Sequence, residues 1–390
     1  MNEYNNSVLN DSSVSLEKSR PVYEQLCGKL KIYIKDEKLK EGDRFPSIYA
    51  LSKKWQVNYR TLRAAFGLLE KDGLVDYTPN RGATVKKNDY AKKTASILYV
   101  RWQADAFCVA ISDGIQRYAS EHGLAYLMVD ARLSHELFLD AITHPGQGVD
   151  GIIIVPEDSP EYVNAIEQTI QSGRKVVFLD RVLPIAKASS VCADHFSGAY
   201  QAVNHLLLQH DGRPVYYLGP VKSPSSCQNW VKGWKEAMHS HNLYDIDKYC
   251  IDSEAIKAEL GFENLNRSDA LVRIAKRFFE IKHEKVYSIF AGNNYVARGI
   301  YVAAEELGLK IGKDVFVAGS GDAPRSETFS VPLSSIWQNS EQVGYEGAKI
   351  LHELITGSLK KPIHRLVPAK LVIRESSVAA DSKNKSTQIG

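Results

Sequence analysis

The sequence predicts an α/β chain in two parts: a small helical head closed by a β-hairpin, then a large body of alternating strands and helices. Three observations carry this. Charge is split along the chain: residues 20–93 hold 17 Lys/Arg against 9 Asp/Glu, whereas 94–390 hold 31 against 34. In the first part apolar residues recur at helical spacing. In the second they come as short, near-continuous β-type runs separated by helical stretches, the pattern of parallel strands buried on both faces. The chain has 390 residues, and at roughly 150 residues per domain that is room for two to three cores.

Composition excludes several classes. Hydrophobic residues make up 44% and charged residues 24%, which rules out a chain disordered throughout, a collagen and a disulfide miniprotein. No apolar run reaches the roughly 18 residues of a membrane span. Residues 1–19 are polar, lack the basic-then-apolar pattern of a signal peptide, and read as a disordered tail. The five cysteines (27, 108, 192, 227, 250) are odd in number and contain no CxxC. They point to a reducing cytoplasm and to neither a zinc site nor a disulfide framework. No metal and no cofactor is expected.

The head spans 20–86. Tyr23, Leu26, Cys27, Leu30, Tyr33 and Ile34 fall on one face of a helix over 22–35, with Pro21 before it. EGDRFPS (41–47) is a turn, after which a second helix runs over about 47–55. QVN breaks it, and Asn58 caps a third helix over about 58–71, whose stripe is Leu62, Ala65, Phe66 and Leu69. LVDYT, a PNRG turn and ATV then read as a β-hairpin. Three helices with a tight turn between the last two, plus a hairpin, make a winged helix-turn-helix. A helix fits the major groove of duplex DNA, where its exposed early side chains reach base edges. Tyr59, Arg60 and Arg63 lie off the apolar stripe and suit that task, the arginines as bidentate donors to guanine. Lys53 and Lys54 suit phosphates, and Arg81 beside Gly82 stands at the hairpin tip.

The run from PVYEQ (21–25) through GDRFPS, VNYRTLRAA and EKDGLV to RGATV resembles the winged-helix domain of the gluconate-repressor (GntR) family. That family binds operator double-stranded DNA as dimers. By position, the resemblance implies Ser47, Tyr59, Arg60, Thr61, Arg63, Arg81 and Gly82 as DNA contacts. Family members commonly carry Arg where this chain has Tyr49 and Tyr59, so its operator sequence does not follow from theirs.

After a basic linker at 87–95, the body spans 96–376, followed by a polar tail at 377–390. Strands are expected at SILYV (96–100), LAYLMV (124–129), GIIIV (151–155), KVVFL (175–179), SSVCA (189–193), PVYYL (214–218), YSIF (287–290) and VFVAG (315–319). LSSIWQ (333–338) and LVIRE (371–375) read as late strands, and TGSLKKP (356–362) as a loop. The length favours two α/β lobes over one sheet. Ligands of parallel α/β sheets bind at the carboxyl ends of strands. Residues there include Trp102, Asp105, Phe107, Pro156, Glu157, Asp180, Arg181, Asp194, His195, Asn293, Asn294, Ser320, Gly321, Asp322 and Gln338, with Ser225, Gln228, Asn229 and Trp230 opening a helix. Carboxylates, amides and indoles suit a polyol: the polar groups pair with hydroxyls and an aromatic face packs on the ring. Trp234, beside Gly233, reads as core. The adjacent pair Asp194-His195 is the kind of pair that usually lies at the surface.

VDGIIIVP, KVVFLDR, SGAYQAVNHLLLQHDGRPVYYLG, NWVKGWKEAM, YSIFAGNNYVARGIYVAAEELGLKIGKDVFVAGSGD, PLSSIWQ and LVIRES together resemble the lactose-repressor sensor, a two-lobed, Rossmann-like fold of the periplasmic-binding-protein type I class. The resemblance implies that Asp180, Asn293 and Gln338 face a small-molecule effector. Trp230 stands where that family has an Arg, and Gly321 where it has an Asp, with Asp322 following. The arrangement suggests a ring sandwiched by Trp102 and Trp230, with Asp322 supplying the carboxylate. The winged head joined to this sensor is the order of arabinose-repressor-type regulators, which implies a homodimeric transcriptional regulator, most often a repressor, controlled by a sugar or sugar derivative and bound to no membrane. The alternative is a carbohydrate- or nucleotide-acting enzyme with an accessory DNA-binding module. Little supports it: there is no GxSxG, HExxH or GxGxxG, and GLKIGK (308–313) has the wrong spacing for a phosphate loop.

Overall fold

The computed structural model describes residues 21–379, apart from 37, 38, 40, 72, 79–81, 87–94, 102–105, 132, 133, 147, 186, 187, 262–266 and 322–325. Arg81, Trp102, Asp105 and Asp322, the tail at 1–19, most of the linker and residues 380–390 therefore lie outside the described residues. The chain divides into two compact units, residues 1–94 and 95–390.

The first unit has three helices, α1 (Val22–Asp36), α2 (Ile48–Lys54) and α3 (Tyr59–Lys71), and a hairpin of β1 (Val75–Thr78) and β2 (Gly82–Val85). Its core is what the helical spacing requires. Leu26, Leu30 and Ile34 on α1 and Leu62, Phe66 and Leu69 on α3 are buried together with Phe45, Leu51 and Trp55. Phe45 meets Phe66 edge-on, with ring centroids 5.2 Å apart. Strand alternation does the rest: Val75, Ala83 and Val85 turn inward. The turn between α2 and α3 passes through Gln56 in the left-handed region (φ 53°), and Val57 N–H returns to the Ser52 carbonyl at 3.1 Å.

The second unit holds two six-stranded sheets. The first lobe is built on β3 (Ser96–Arg101), β4 (Ala125–Asp130), β5 (Gly151–Ile154), β6 (Lys175–Leu179), β7 (Ser189–Ala193) and, late in the chain, β13 (His364–Val367). Their order is β13-β7-β6-β5-β3-β4, all parallel. Helices α4 (Ala106–Glu121), α5 (His135–Thr143), α6 (Pro160–Gln171) and the late α12 (Ser340–Thr356) cover it. Side chains alternate across the sheet: Ile97 and Tyr99 join Ile111, Ile115 and Leu351 on one face, while Leu98 and Val100 join Phe138 and Ile166 on the other. Helices α4 and α12 touch backbone to backbone. A Cβ at Gly114 would stand 1.9 Å from the Glu341 carbonyl oxygen, and one at Gly344 2.1 Å from that of Ile111.

The second lobe is built on β8 (Tyr216–Gly219), β9 (Cys250–Asp252), β10 (Tyr287–Ala291), β11 (Val315–Ser320), β12 (Ser334–Trp337) and β14 (Lys370–Val372). Their order is β14-β12-β11-β10-β8-β9, and β14 alone runs antiparallel to its neighbour. Helices α7 (His195–Gln209) and α8 (Ser225–Ser240) pack on one face, α10 (Arg267–Ile281) and α11 (Asn294–Glu306) on the other, with α9 (Ser253–Glu259) beside β8. Trp234 is fully buried and its indole N–H donates to the Val215 carbonyl at 2.7 Å, which confirms it as core. Two strands escaped the sequence reading. β9 and β13 are short and carry charged or polar residues, so neither shows as an apolar run.

The chain crosses between the lobes three times: from β7 into α7, from β12 into α12, and from β13 into β14. Asp194 sits on the first crossover and Gln338 on the second.

Candidate nucleic-acid interface and ligand cavity

On the first unit, side chains fix where the two helices of the helix-turn-helix begin. Ser47 caps α2, its hydroxyl accepting from Ala50 N–H at 3.1 Å, and Asn58 caps α3, accepting from Arg60 N–H at 2.8 Å. Neither helix has an acidic residue in its first turn. Tyr59 (45% exposed) and Arg60 project from the start of α3 into solvent, while Thr61 is half-buried. Lys53 is exposed, its ammonium 4.7 Å from the centroid of the Tyr49 ring, which is itself 60% exposed. Lys54 is half-buried, and Gly82, in the left-handed region at φ 82°, opens β2.

Arg63 is placed differently. Its guanidinium stacks 4.0 Å over the Tyr77 ring and lies 3.3 Å from a Glu70 carboxylate oxygen. The other Glu70 oxygen accepts from Tyr77 N–H at 3.3 Å. A hydrogen bond with Tyr59, then burial, pushes the Tyr77 hydroxyl above its ordinary value. One helix turn and the first wing strand are thus joined through Arg63, Glu70 and Tyr77. Glu70 and Tyr77 were not picked out as site residues from the sequence. The available signal was the seven-residue spacing of Arg63 and Glu70, two helical turns on one face.

In the second unit a cavity of about 390 Å³ opens where strand ends and helix starts of both lobes meet. Phe107, Asp180, Arg181, Trp230, Asn293 and Gln338 all border it. These six come from α4, the end of β6, α8, the cap of α11 and the second crossover, so only the tertiary fold unites them. Tyr295, Arg298 and Phe329 also border it and were not anticipated. Arg298 follows Asn294 by one helical turn, the signal that was available for it.

Asn293 caps α11, accepting from Val296 N–H at 3.0 Å. Asn294 donates to the Ser326 hydroxyl at 3.1 Å and accepts from Ser335 at 3.2 Å. Trp230 is only 3% exposed, with its ring 4.6 Å from that of His195. It is a wall set into the core, more than a free platform. Asp180 is buried in the left-handed region at φ 65°. Its carboxylate lies 3.1 Å from His195 Nε2 and 3.8 Å from Arg181 Nε, and Arg181 also reaches Glu157 at 3.0 Å. Burial alone would raise the Asp180 carboxyl, but the hydrogen bond and charge of His195, then Arg181, hold it below its ordinary value. Burial lifts Glu157 above its own, against the pull of Arg181.

Asp194-His195 is not a surface pair. Asp194 caps α7 through Ser197 N–H at 3.0 Å, and His195 is 2% exposed. Its place directly after the apolar run SSVCA was the local signal for a strand end; the sheet order brings it against Asp180. Among the described residues no group of three His, Cys, Asp or Glu side chains is placed to hold a metal ion, and no helix is long and apolar enough to cross a membrane.

Comparison with known proteins finds a match for each of the two units. Residues 22–85 match the gntR family of bacterial regulatory proteins, and residues 203–377 match the periplasmic binding protein-like domain. The HTH-type transcriptional regulator CelR of Thermobifida fusca is 24% identical over 310 residues, covering 77% of this chain and 85% of that one. A crystal structure described as a probable LacI family transcriptional regulator from Corynebacterium glutamicum is 26% identical, with a TM-score of 0.58, over 73% of this chain and all of that one. A LacI family regulator from Enterococcus faecium with bound ribose shares the fold at a TM-score of 0.59 and 22% identity, over 73% of this chain and 98% of that one. The chain is a DNA-binding transcriptional regulator, made of a gntR-type winged helix-turn-helix domain followed by a periplasmic-binding-protein-like sensor domain.

Proposed function

We propose that this regulator is a cytoplasmic, homodimeric repressor whose head holds operator DNA and whose body releases or resets it on binding a small carbohydrate. The observation that carries the effector half is the convergence of Asp180, Asn293, Gln338 and Trp230 on one cavity of about 390 Å³. A buried carboxylate and amides suit the hydroxyls of a sugar, and the apolar walls suit its ring. Ribose bound to a relative of the same fold supports the class of ligand. The chain performs no catalysis in this reading.

On DNA, Tyr59 and Arg60 read base edges, and Arg63, held by Glu70 and Tyr77, sets the angle between α3 and the wing while offering its remaining donors to a base. Lys53 and Lys54 meet phosphates. Ser47, Thr61, Gly82 and Arg81 complete the contact set along the backbone and at the wing tip. The dimer supplies two heads for two half-sites about 10–10.5 bp apart. Exposed Leu127 and Met128 on β4, the last strand of its sheet, and exposed Val109 on α4 suit contact between copies. Closure of the lobes around the effector shifts the linkers at 87–95 and with them the spacing of the recognition helices. A coupling of about 1–3 kcal/mol would change operator affinity roughly 5–150-fold.

The test is operator selection from random duplexes, followed by binding titrations with a panel of pentoses, hexoses, cellobiose and sugar phosphates. At least one sugar should change operator affinity within that range. If none does, the effector half of the proposal fails. If no duplex is preferred over heparin, the DNA half fails.

A further inference from the structure

We propose that His195 is a positioning residue for the cavity: it holds the Asp180 carboxylate in place and ties it to the opposite lobe. The proposal rests on the effector reading only in making Asp180 the carboxylate that the carbohydrate meets.

Asp180 belongs to the first lobe. It follows β6, and its N–H donates to the Val191 carbonyl on β7 at 3.0 Å. His195 belongs to the second. It opens α7, which packs against α8 so closely that a Cβ at Gly233 would stand 2.2 Å from the Phe196 carbonyl oxygen. The start of α7 cannot slide along α8 without unpacking, so His195 moves with Trp230 and the second lobe. From there its Nε2 reaches back to two atoms of Asp180, the carboxylate Oδ1 and the main-chain oxygen, each at 3.1 Å. The carbonyl oxygen accepts only, and so does the ionised carboxylate. Nε2 therefore carries the hydrogen.

Two features argue against a purely packing role. Nδ1 is buried with no hydrogen-bond partner among the described residues, a cost that an apolar ring at this place would avoid. Phenylalanine would fill the same space beside Trp230; what it lacks is the Nε2 donor. Asp180 also holds a left-handed backbone conformation, and a non-glycine residue keeps one only where its surroundings over-determine it. The bond from His195 to the Asp180 carbonyl supplies one such restraint. A rotation between lobes stretches this contact and frees both the carboxylate and its backbone. A sugar hydroxyl bonded to Asp180 accordingly favours the lobe arrangement in which the contact is intact.

The experiment measures the distance between lobes in the full chain without ligand. Spin labels go on Gln168→Cys in α6 and Ala258→Cys in α9, both exposed positions, with Cys250→Ser removing the native thiol that is not fully buried. Pulsed electron spin resonance then gives the distance distribution. His195→Phe should broaden it, and so should His195→Asn, whose amide is too short to reach Asp180. His195→Gln keeps a donor at similar reach and should restore the parent distribution. Folding is checked by urea titration, and His195→Asn carries the test if His195→Phe does not fold. Parent-like distributions in folded His195→Phe or His195→Asn overturn the proposal, as does a broadened one in His195→Gln. In parallel, calorimetry with D-ribose, L-arabinose and cellobiose should show binding weakened at least about fivefold in His195→Phe and recovered in His195→Gln. If no sugar binds the parent protein, the effector reading fails, while the distance measurement still decides the role of His195.

Discussion

Arg60 on the head stands in solvent, with no ion pair among the described residues. Asp180 in the body is buried, bonded to His195 and flanked by Arg181. In the proposed reading each meets the ligand of its region, and they are prepared for it in opposite ways. The arginine is free until DNA arrives; ordering it costs side-chain entropy at that moment, and its attraction to DNA is screened by salt. The carboxylate has been desolvated and oriented during folding, so that cost falls on stability. The difference teaches that the DNA face can be altered with little harm to the fold, whereas the cavity cannot. Arg63 lies between the two, exposed enough to meet DNA but already engaged by Glu70 and Tyr77.

Substitutions sharpen or break this contrast. The largest effect is expected at Asp180. Asp180→Ala takes the buried carboxylate from His195, while Arg181 keeps Glu157, and should cost about 3–5 kcal/mol in urea unfolding, with loss of any sugar response. A cost below about 1 kcal/mol would mean that the pair is solvated. The pH dependence has a definite sign. The Asp180 carboxyl lies below its ordinary value in the fold, so its contribution is fully present above about pH 3.9 and is lost as pH falls further. Thermal melts of the parent protein should therefore drop below that pH more steeply than those of Asp180→Asn.

Arg60→Ala comes next. It should weaken operator binding by about 1–3 kcal/mol and relax preference at one base pair, with unfolding unchanged. Equal weakening on all duplexes would make Arg60 a phosphate contact. For the intermediate case, Arg63→Ala and Glu70→Ala should each weaken operator binding and show coupling of about 0.5–3 kcal/mol in a double-mutant cycle. Additive losses would show that Glu70 does not act through Arg63. The smallest effect is at Lys54. Lys54→Ala should reduce the slope of binding against salt by about 1 without changing which sequence is preferred; an unchanged slope removes Lys54 from the phosphate contacts.

Legibility followed the same division. On the head, the stripe Leu62, Ala65, Phe66 and Leu69, the cap Asn58 and the exposed Tyr59 and Arg60 can all be read from spacing, because they share one helix and one period. The stacking of Arg63 on Tyr77 could not, since Tyr77 comes from the wing. In the body, Asp180, Asp194-His195 and Asn293 are all visible as polar residues after apolar runs, but nothing local shows that His195 is buried against Asp180. Strands β9 and β13 stayed hidden for a related reason: at three and four residues with polar members, each depends on its neighbour for pairing more than on its own burial.

Sequence alone determined the division of charge, the helical and strand periods, and the order of a three-helix head before an alternating body. These follow from backbone sterics and from the repeat of apolar side chains, which act over a few residues. The tertiary structure decided which polar groups share the cavity, that His195 turns inward to Asp180, and that Trp230 is a wall. Those outcomes depend on the order in which strands far apart in the chain lie side by side, and on three crossings between lobes, and no short window of residues holds that information.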